Sequence, residues 1–201
     1  MPGRSLGRLA AVNRCLLVSG LPCAGKSTLA RFVAARYGWP LLSKDDYKER
    51  IFGELGASDR AWSRRVSALA WTLLFDEAAR HLAAGQTCVL EGNFREPEAA
   101  AARAFRPLAR LLELHCVADP KVLLERYRAR AADGTRHPGH VDLEALPELE
   151  AELGRAAVSV LLAGPDRLEW DTSGGVDALA LVPAIERLLG PPSGAGAQRG
   201  R

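Results

Sequence analysis

The 201-residue sequence has one methionine, four cysteines and four lysines, and aromatic residues make up only 6% of it. No eighteen apolar residues run together, which removes any candidate for a membrane-spanning helix. The opening Met1-Pro-Gly-Arg-Ser-Leu-Gly-Arg lacks the apolar stretch and cleavage site of a signal peptide, so a cytoplasmic-type protein is expected. Cys15, Cys23, Cys88 and Cys116 show no CxxC spacing. Three of them sit in apolar, strand-like runs and read as buried thiols, not as a disulfide scaffold or zinc site. Charge of one sign is also lacking: 27 basic against 24 acidic residues give +3. That balance argues against a nucleic-acid coat or a membrane-surface binder.

What is present is globular: 48% apolar and 25% charged residues exclude extended disorder for the bulk of the chain. The expected organisation is a flexible arm over 1–13, one domain over 14–189 and a disordered glycine- and proline-rich tail over 190–201. Between the ends, apolar runs alternate with helical stretches. Strands are expected at 15–20, 41–43, 87–91, 111–117 and 167–171. Helices are expected at 26–37, 45–55, 58–84, from Pro97, from Pro120 to Ala132, and from 176 to 189. This alternation predicts an α/β fold: a three-layer αβα P-loop NTPase with a five-stranded, mainly parallel sheet. Such sheets carry their sites at the carboxyl ends of the strands.

One motif lies at such an end. Gly20-Leu21-Pro22-Cys23-Ala24-Gly25-Lys26-Ser27, with Thr28 next, satisfies G-x-x-x-x-G-K-[ST] between an expected strand and an expected helix. The glycines let successive N–H groups converge on phosphate oxygens, and the helix N-terminus adds partial positive charge. Lys26 is expected to bridge the β- and γ-phosphates, and Ser27 to ligate Mg²⁺. Three of the four lysines fall between positions 26 and 48, where specific ammonium groups would be wanted. No NKxD-type base reader of a GTPase occurs, and a motor or AAA+ ATPase ordinarily needs a longer chain. After the second strand, Ser43-Lys44-Asp45-Asp46-Tyr47-Lys48 places two carboxylates near the loop. A carboxylate there could accept an acceptor hydroxyl's proton, or one of the two could merely cap the helix.

This loop followed by Ser43-Lys-Asp45-Asp46-Tyr-Lys48 resembles the kinase domain of phage-type polynucleotide 5′-kinases. It is also similar to a wider group of small P-loop phosphotransferases that includes chloramphenicol phosphotransferase and the zeta toxins. The resemblance implies that Asp45 is the general base, with Asp46 the alternative on the residues alone. It also sets Lys48 where the polynucleotide kinases carry a substrate-phosphate arginine; that change keeps the charge but loses the bidentate fork. Glu91, ending the third strand, stands where P-loop proteins often place an acid in the Mg²⁺ shell, and Asn93 and Arg95 after it would face the acceptor.

The helix from Pro120 carries Arg126 and Arg130, which share a face at i and i+4, and Arg128. Related kinases close a lid of this kind, here about 120–142, over the nucleotide, its arginines neutralising the transferring phosphoryl group. A flexible loop over 133–140 follows, in which Arg136 could contact an acceptor. Its His137-Pro-Gly-His140 lacks a third metal ligand and suits substrate contact or lid flexibility better. By the same resemblance the turn at Thr172 approaches the adenine. Arg60, Arg64 and Arg65 on the long helix read as solvated. The expected activity is ATP- and Mg²⁺-dependent phosphorylation of a hydroxyl on a small acceptor (antibiotic, nucleoside or sugar). A polynucleotide 5′-hydroxyl end and a non-catalytic nucleotide switch are the alternatives.

Overall fold

The computed structural model describes residues 13–153 and 161–190. The arm and tail expected at 1–13 and 190–201 therefore lie outside the described residues, except for their inner ends. Five strands form one sheet: β1 (Arg14–Ser19), β2 (Leu41–Ser43), β3 (Cys88–Glu91), β4 (Arg110–Val117) and β5 (Arg167–Asp171). Their order is β2-β3-β1-β4-β5, and all four pairings are parallel. Residues of β1 and β4 are buried on both faces because helices cover both sides, as a parallel sheet requires.

Side-chain alternation divides the core in two. Leu16, Val18, Leu112 and Leu114 face α1 (Lys26–Tyr37), α5 (Pro120–Asp133) and α7 (Val182–Leu189). Cys15, Leu17, Cys88 and Leu90 face α3 (Arg60–Ala83) and α4 (Glu96–Arg103). Three layers result, αβα. A smaller cluster of Ile51, Phe52, Val66 and Ala70 packs α2 (Lys44–Leu55) on α3. All four cysteines are free, three of them buried, and among the described residues no helix is long and apolar enough to cross a membrane.

The element boundaries follow local chemistry. Asp59 caps α3 by accepting from the Trp62 amide at 2.8 Å, and Asp119 caps α5 by accepting from the Lys121 amide. Three expectations need correction. The last helix begins at Val182 instead of 176, because Asp177 Oδ1 accepts from the Leu179 and Ala180 amides at 3.0 Å. That turn offers the backbone an alternative to the helix until Pro183 starts it. The loop over 133–140 is not open chain: Pro138–His140 form a 3₁₀ turn, with Gly139 pressed on the Phe52 ring so closely that a Cβ would collide with it. A further helix, α6 (Asp142–Leu153), had no counterpart in the sequence reading. Its Pro147 argues locally against a helix, whereas Ala145 and Leu149 are buried one turn apart.

The carboxyl end of β1 is held by a buried polar network. Glu113 of β4, fully enclosed, accepts from Ser19 Oγ at 2.5 Å and from the Leu162 amide at 2.9 Å, while Ser19 Oγ also meets His115 Nδ1 at 2.7 Å. Beyond it the chain turns at Gly20 (φ 131°), where a Cβ would land on the Cys116 carbonyl oxygen. Gly20→Ala combines a disfavoured φ with that collision, so it is expected to cost roughly 3 kcal/mol or more. A urea-denaturation midpoint close to the parent's would contradict this account of the loop.

Candidate active site

Helix α1 starts from Gly25, an N-cap in the left-handed region (φ 78°), with no side-chain cap and no acid in its first turn. Its leading N–H groups and partial positive charge are therefore offered to an anion at the carboxyl edge of the sheet. Lys26 lies across the loop, its Nζ donating to the Leu21 carbonyl at 2.8 Å. Ser27 Oγ donates to Glu91 Oε1 at 3.3 Å, and Ser43 Oγ donates to Glu91 Oε2 at 2.7 Å. Two hydroxyls and one carboxylate thus gather from α1, β2 and β3. This all-oxygen set fits Mg²⁺, which is usually held through one or two carboxylates with substrate phosphates and waters completing its shell.

The loop opens into a cleft of about 620 Å³ that also holds Lys44, Asp45, Asn93, Arg95, Arg126, Arg130 and Arg136. Asp45 and Asp46 separate here. Ser43 occupies the N-cap of α2, so neither aspartate is the cap. Asp45 lines the cleft, whereas Asp46 points outward, 4.0 Å from Arg31. Asp45 pairs with Lys44 Nζ at 3.2 Å and with Arg136 Nη2. Burial favours its neutral form, but Lys44 and Arg136 outweigh that and hold its pKa well below the usual carboxylate range.

The segment joining α5 to α6 is organised around Asp142, the first residue of α6. Its carboxylate accepts from Arg136 Nη1 at 2.6 Å and from the Tyr127 hydroxyl at 3.2 Å, and lies 3.5 Å from Arg130 Nε. Arg126 turns onto the phosphate loop, Nη2 donating to the Thr172 carbonyl at 2.6 Å and Nη1 to the Cys23 carbonyl at 3.4 Å. Thr172 itself does not face the cleft. It is buried under the loop, its hydroxyl donating to the carbonyls of Val117 and Ala24, which corrects its expected place beside a base. His140 is enclosed, its Nε2 at 2.9 Å from Glu49. Burial and the nearby Arg136 push its pKa down to about 2, so it is neutral.

Lys48 lines the same cleft but is almost fully buried, with Nζ donating to Ser63 Oγ at 2.7 Å. The far wall consists of residues the sequence reading left out or called solvated: Arg60, Arg64, Ser67, Ala68 and Trp71 of α3, with Ala145, Glu148, Leu149 and Glu152 of α6. Arg60 and Arg64 both bind Glu148, and Arg95 binds Glu152 at 3.3 Å. Apolar spacing from Ala145 to Leu149 was the signal that could have revealed this wall.

A family model described as an AAA domain matches residues 16–155. The chain belongs to this AAA domain family. Chain length therefore does not separate it from proteins that carry the AAA name. Among solved structures, a candidate kinase of Chloroflexus aurantiacus is 36% identical with a TM-score of 0.76, covering 89% of this chain and 100% of that one. A sugar kinase of Janibacter sp. superposes with a TM-score of 0.56 over 88% of this chain and 94% of its own, at 14% identity, a likeness of fold alone. A Mycobacterium tuberculosis protein carrying no functional description is 31% identical over 83% of this chain but only 32% of itself. The chain thus spans about a third of the length of the curated relatives it matches. Fold and loop together are of the P-loop kinase-like type, a fold that implies nucleotide binding.

Burial, reinforced by the charge of Lys44, pulls the pKa of Lys48 from 10.5 down to about 7. Between those values the unfolded chain holds a proton that the folded chain has lost, so this residue makes stability rise with pH across that window. Lys48→Met is expected to flatten the rise between pH 7 and 9, read from urea midpoints. A variant profile parallel to the parent's would refute the assignment.

Proposed function

We propose that the protein transfers the γ-phosphate of ATP, with Mg²⁺, to an alcohol hydroxyl on a small molecule. The observation that carries this reading is Asp45: an ionised carboxylate in the same cleft as the uncapped helix end and Lys26, held between Lys44 and Arg136. The loop amides from Gly20 to Thr28 would cradle the phosphates, Lys26 would bridge the β- and γ-phosphates, and Ser27 with Glu91 would hold the metal. The metal supplies charge neutralisation between the phosphates. As the acceptor oxygen bonds the γ-phosphorus and the bond to the β–γ bridging oxygen breaks, Asp45 takes the hydroxyl proton. Its depressed pKa keeps it ionised, and drawing Arg136 or Lys44 away toward phosphate would restore its basicity. Arg126 and Arg130 on the lid would offset charge on the moving phosphoryl group.

A small acceptor is favoured over a nucleic-acid end because Lys48, at the position of the polynucleotide kinases' arginine, is committed to Ser63. An antibiotic, a nucleoside or a sugar fits this cleft, with Asn93, Arg95 and Arg136 disposed to contact it.

The test is transfer of labelled phosphate from ATP·Mg²⁺ to nucleosides, sugars, hydroxylated antibiotics and 5′-hydroxyl oligonucleotides. Lys26→Ala is expected to lose nucleotide binding or turnover. Asp45→Asn is expected to keep nucleotide binding and lose about 10²–10⁴-fold in transfer. Label on an oligonucleotide alone would replace the small-acceptor reading. Near-parent transfer by Asp45→Asn would remove that residue as the base.

A further inference from the structure

We propose that Arg60 and Arg64 form the fork that binds an anionic group, a carboxylate or a phosphate, on the acceptor, and that Glu148 holds this fork until the acceptor displaces it. The inference rests on the phosphotransferase reading above and assigns the acceptor's chemical class.

Positions 60, 64, 67, 68 and 71 lie on one face of α3 and all line the cleft. That face therefore runs from two guanidiniums, through Ser67 and Ala68, to the Trp71 ring. Both arginines converge on one carboxylate. Arg60 binds Glu148 side-on, Nε to Oε1 at 2.9 Å and Nη2 to Oε2 at 2.6 Å, and Arg64 Nη2 reaches Oε1 at 2.6 Å. This is the bidentate geometry with which arginine reads carboxylates and phosphates. Two cations on one anion leave one positive charge over, and Arg64 remains 64% exposed, with donors to spare. The fork stands in the same cleft as the proton acceptor: the Arg60 charge reaches Lys48, next to Asp45, and contributes to lowering its pKa.

Glu148 is chemically the same group that an acidic acceptor would present. An incoming carboxylate can make the same bidentate contacts that Glu148 gives up, so exchanging one carboxylate for another costs little. A neutral acceptor could not make that exchange, because it would leave two guanidiniums without a counter-charge. One fork flanked by Glu98 and Glu152 suits a single anionic group and not a polyanion.

The test uses the full chain with its phosphate loop saturated by a non-hydrolysable ATP analogue and Mg²⁺, so that the loop cannot take up a second anion. Gluconate, inorganic phosphate and, as the neutral control, glucose are titrated in, followed by calorimetry and by tryptophan fluorescence. Glu148→Gln removes the placeholder and is expected to tighten the anions about three- to tenfold. Arg60→Gln combined with Arg64→Gln is expected to abolish anion binding while leaving analogue affinity and the far-ultraviolet spectrum unchanged, and glucose is expected to bind none of the three proteins. Gluconate and phosphate in parallel distinguish a carboxylate from a phosphate acceptor. Anion binding that survives the double variant, or no tightening in Glu148→Gln, would overturn the fork. Failure of every protein to bind the analogue would instead overturn the phosphotransferase reading itself.

Discussion

The structure depends on one bare helix end. α1 begins at a left-handed glycine, with no capping side chain and no acid in its first turn, at the carboxyl edge of a parallel sheet. An uncapped N-terminus is a standing demand for negative charge. The surrounding structure keeps that end in place. Gly20 lets β1 turn against the Cys116 carbonyl, Thr172 ties the loop from below, and Arg126 grips it from the lid. Lys26, Ser27 and Glu91 are useful only because the loop is fixed in this way. α3 and α5, by contrast, satisfy their first turns with Asp59 and Asp119 and carry no phosphate loop.

Around that end the charges are coupled. Asp45 pairs with Arg136, Arg136 with Asp142, and Asp142 approaches Arg130 and Tyr127. A single chain of ion pairs therefore links Asp45 to Arg136, Arg130 and α6. The neutral His140 packed on Phe52 beside this chain lets the lid's base sit close to α2 without adding another charge.

Much of this was legible in the chain alone. The short, largely apolar runs at Cys15–Val18 and Leu111–Val117, bounded by turn residues and alternating with helical stretches, point to buried parallel strands. The glycine-lysine-serine spacing identifies the phosphate loop because it states backbone requirements directly. The last helix was read six residues too long because the Asp177 turn resembles helix in hydrophobic pattern. α6 was missed because Pro147 reads as a breaker, although its neighbours bury apolar side chains regardless.

The sequence by itself determined the sheet, the phosphate loop and the acidic residues that follow β2, since each is written in spacing along a short stretch of chain. The tertiary structure alone decided which aspartate enters the cleft, because Asp45 meets Arg136 from a distant part of the chain whereas Asp46 faces Arg31 outside it. It also decided that Lys48 is spent on Ser63 and that Thr172 supports the loop from beneath. The acceptor wall was likewise invisible in the chain, because Arg60 and Arg64 meet Glu148 only when residues 84 and more positions apart are folded together. Local patterns carry backbone demands, whereas the partner of a long charged side chain is set by whatever folding brings within its reach.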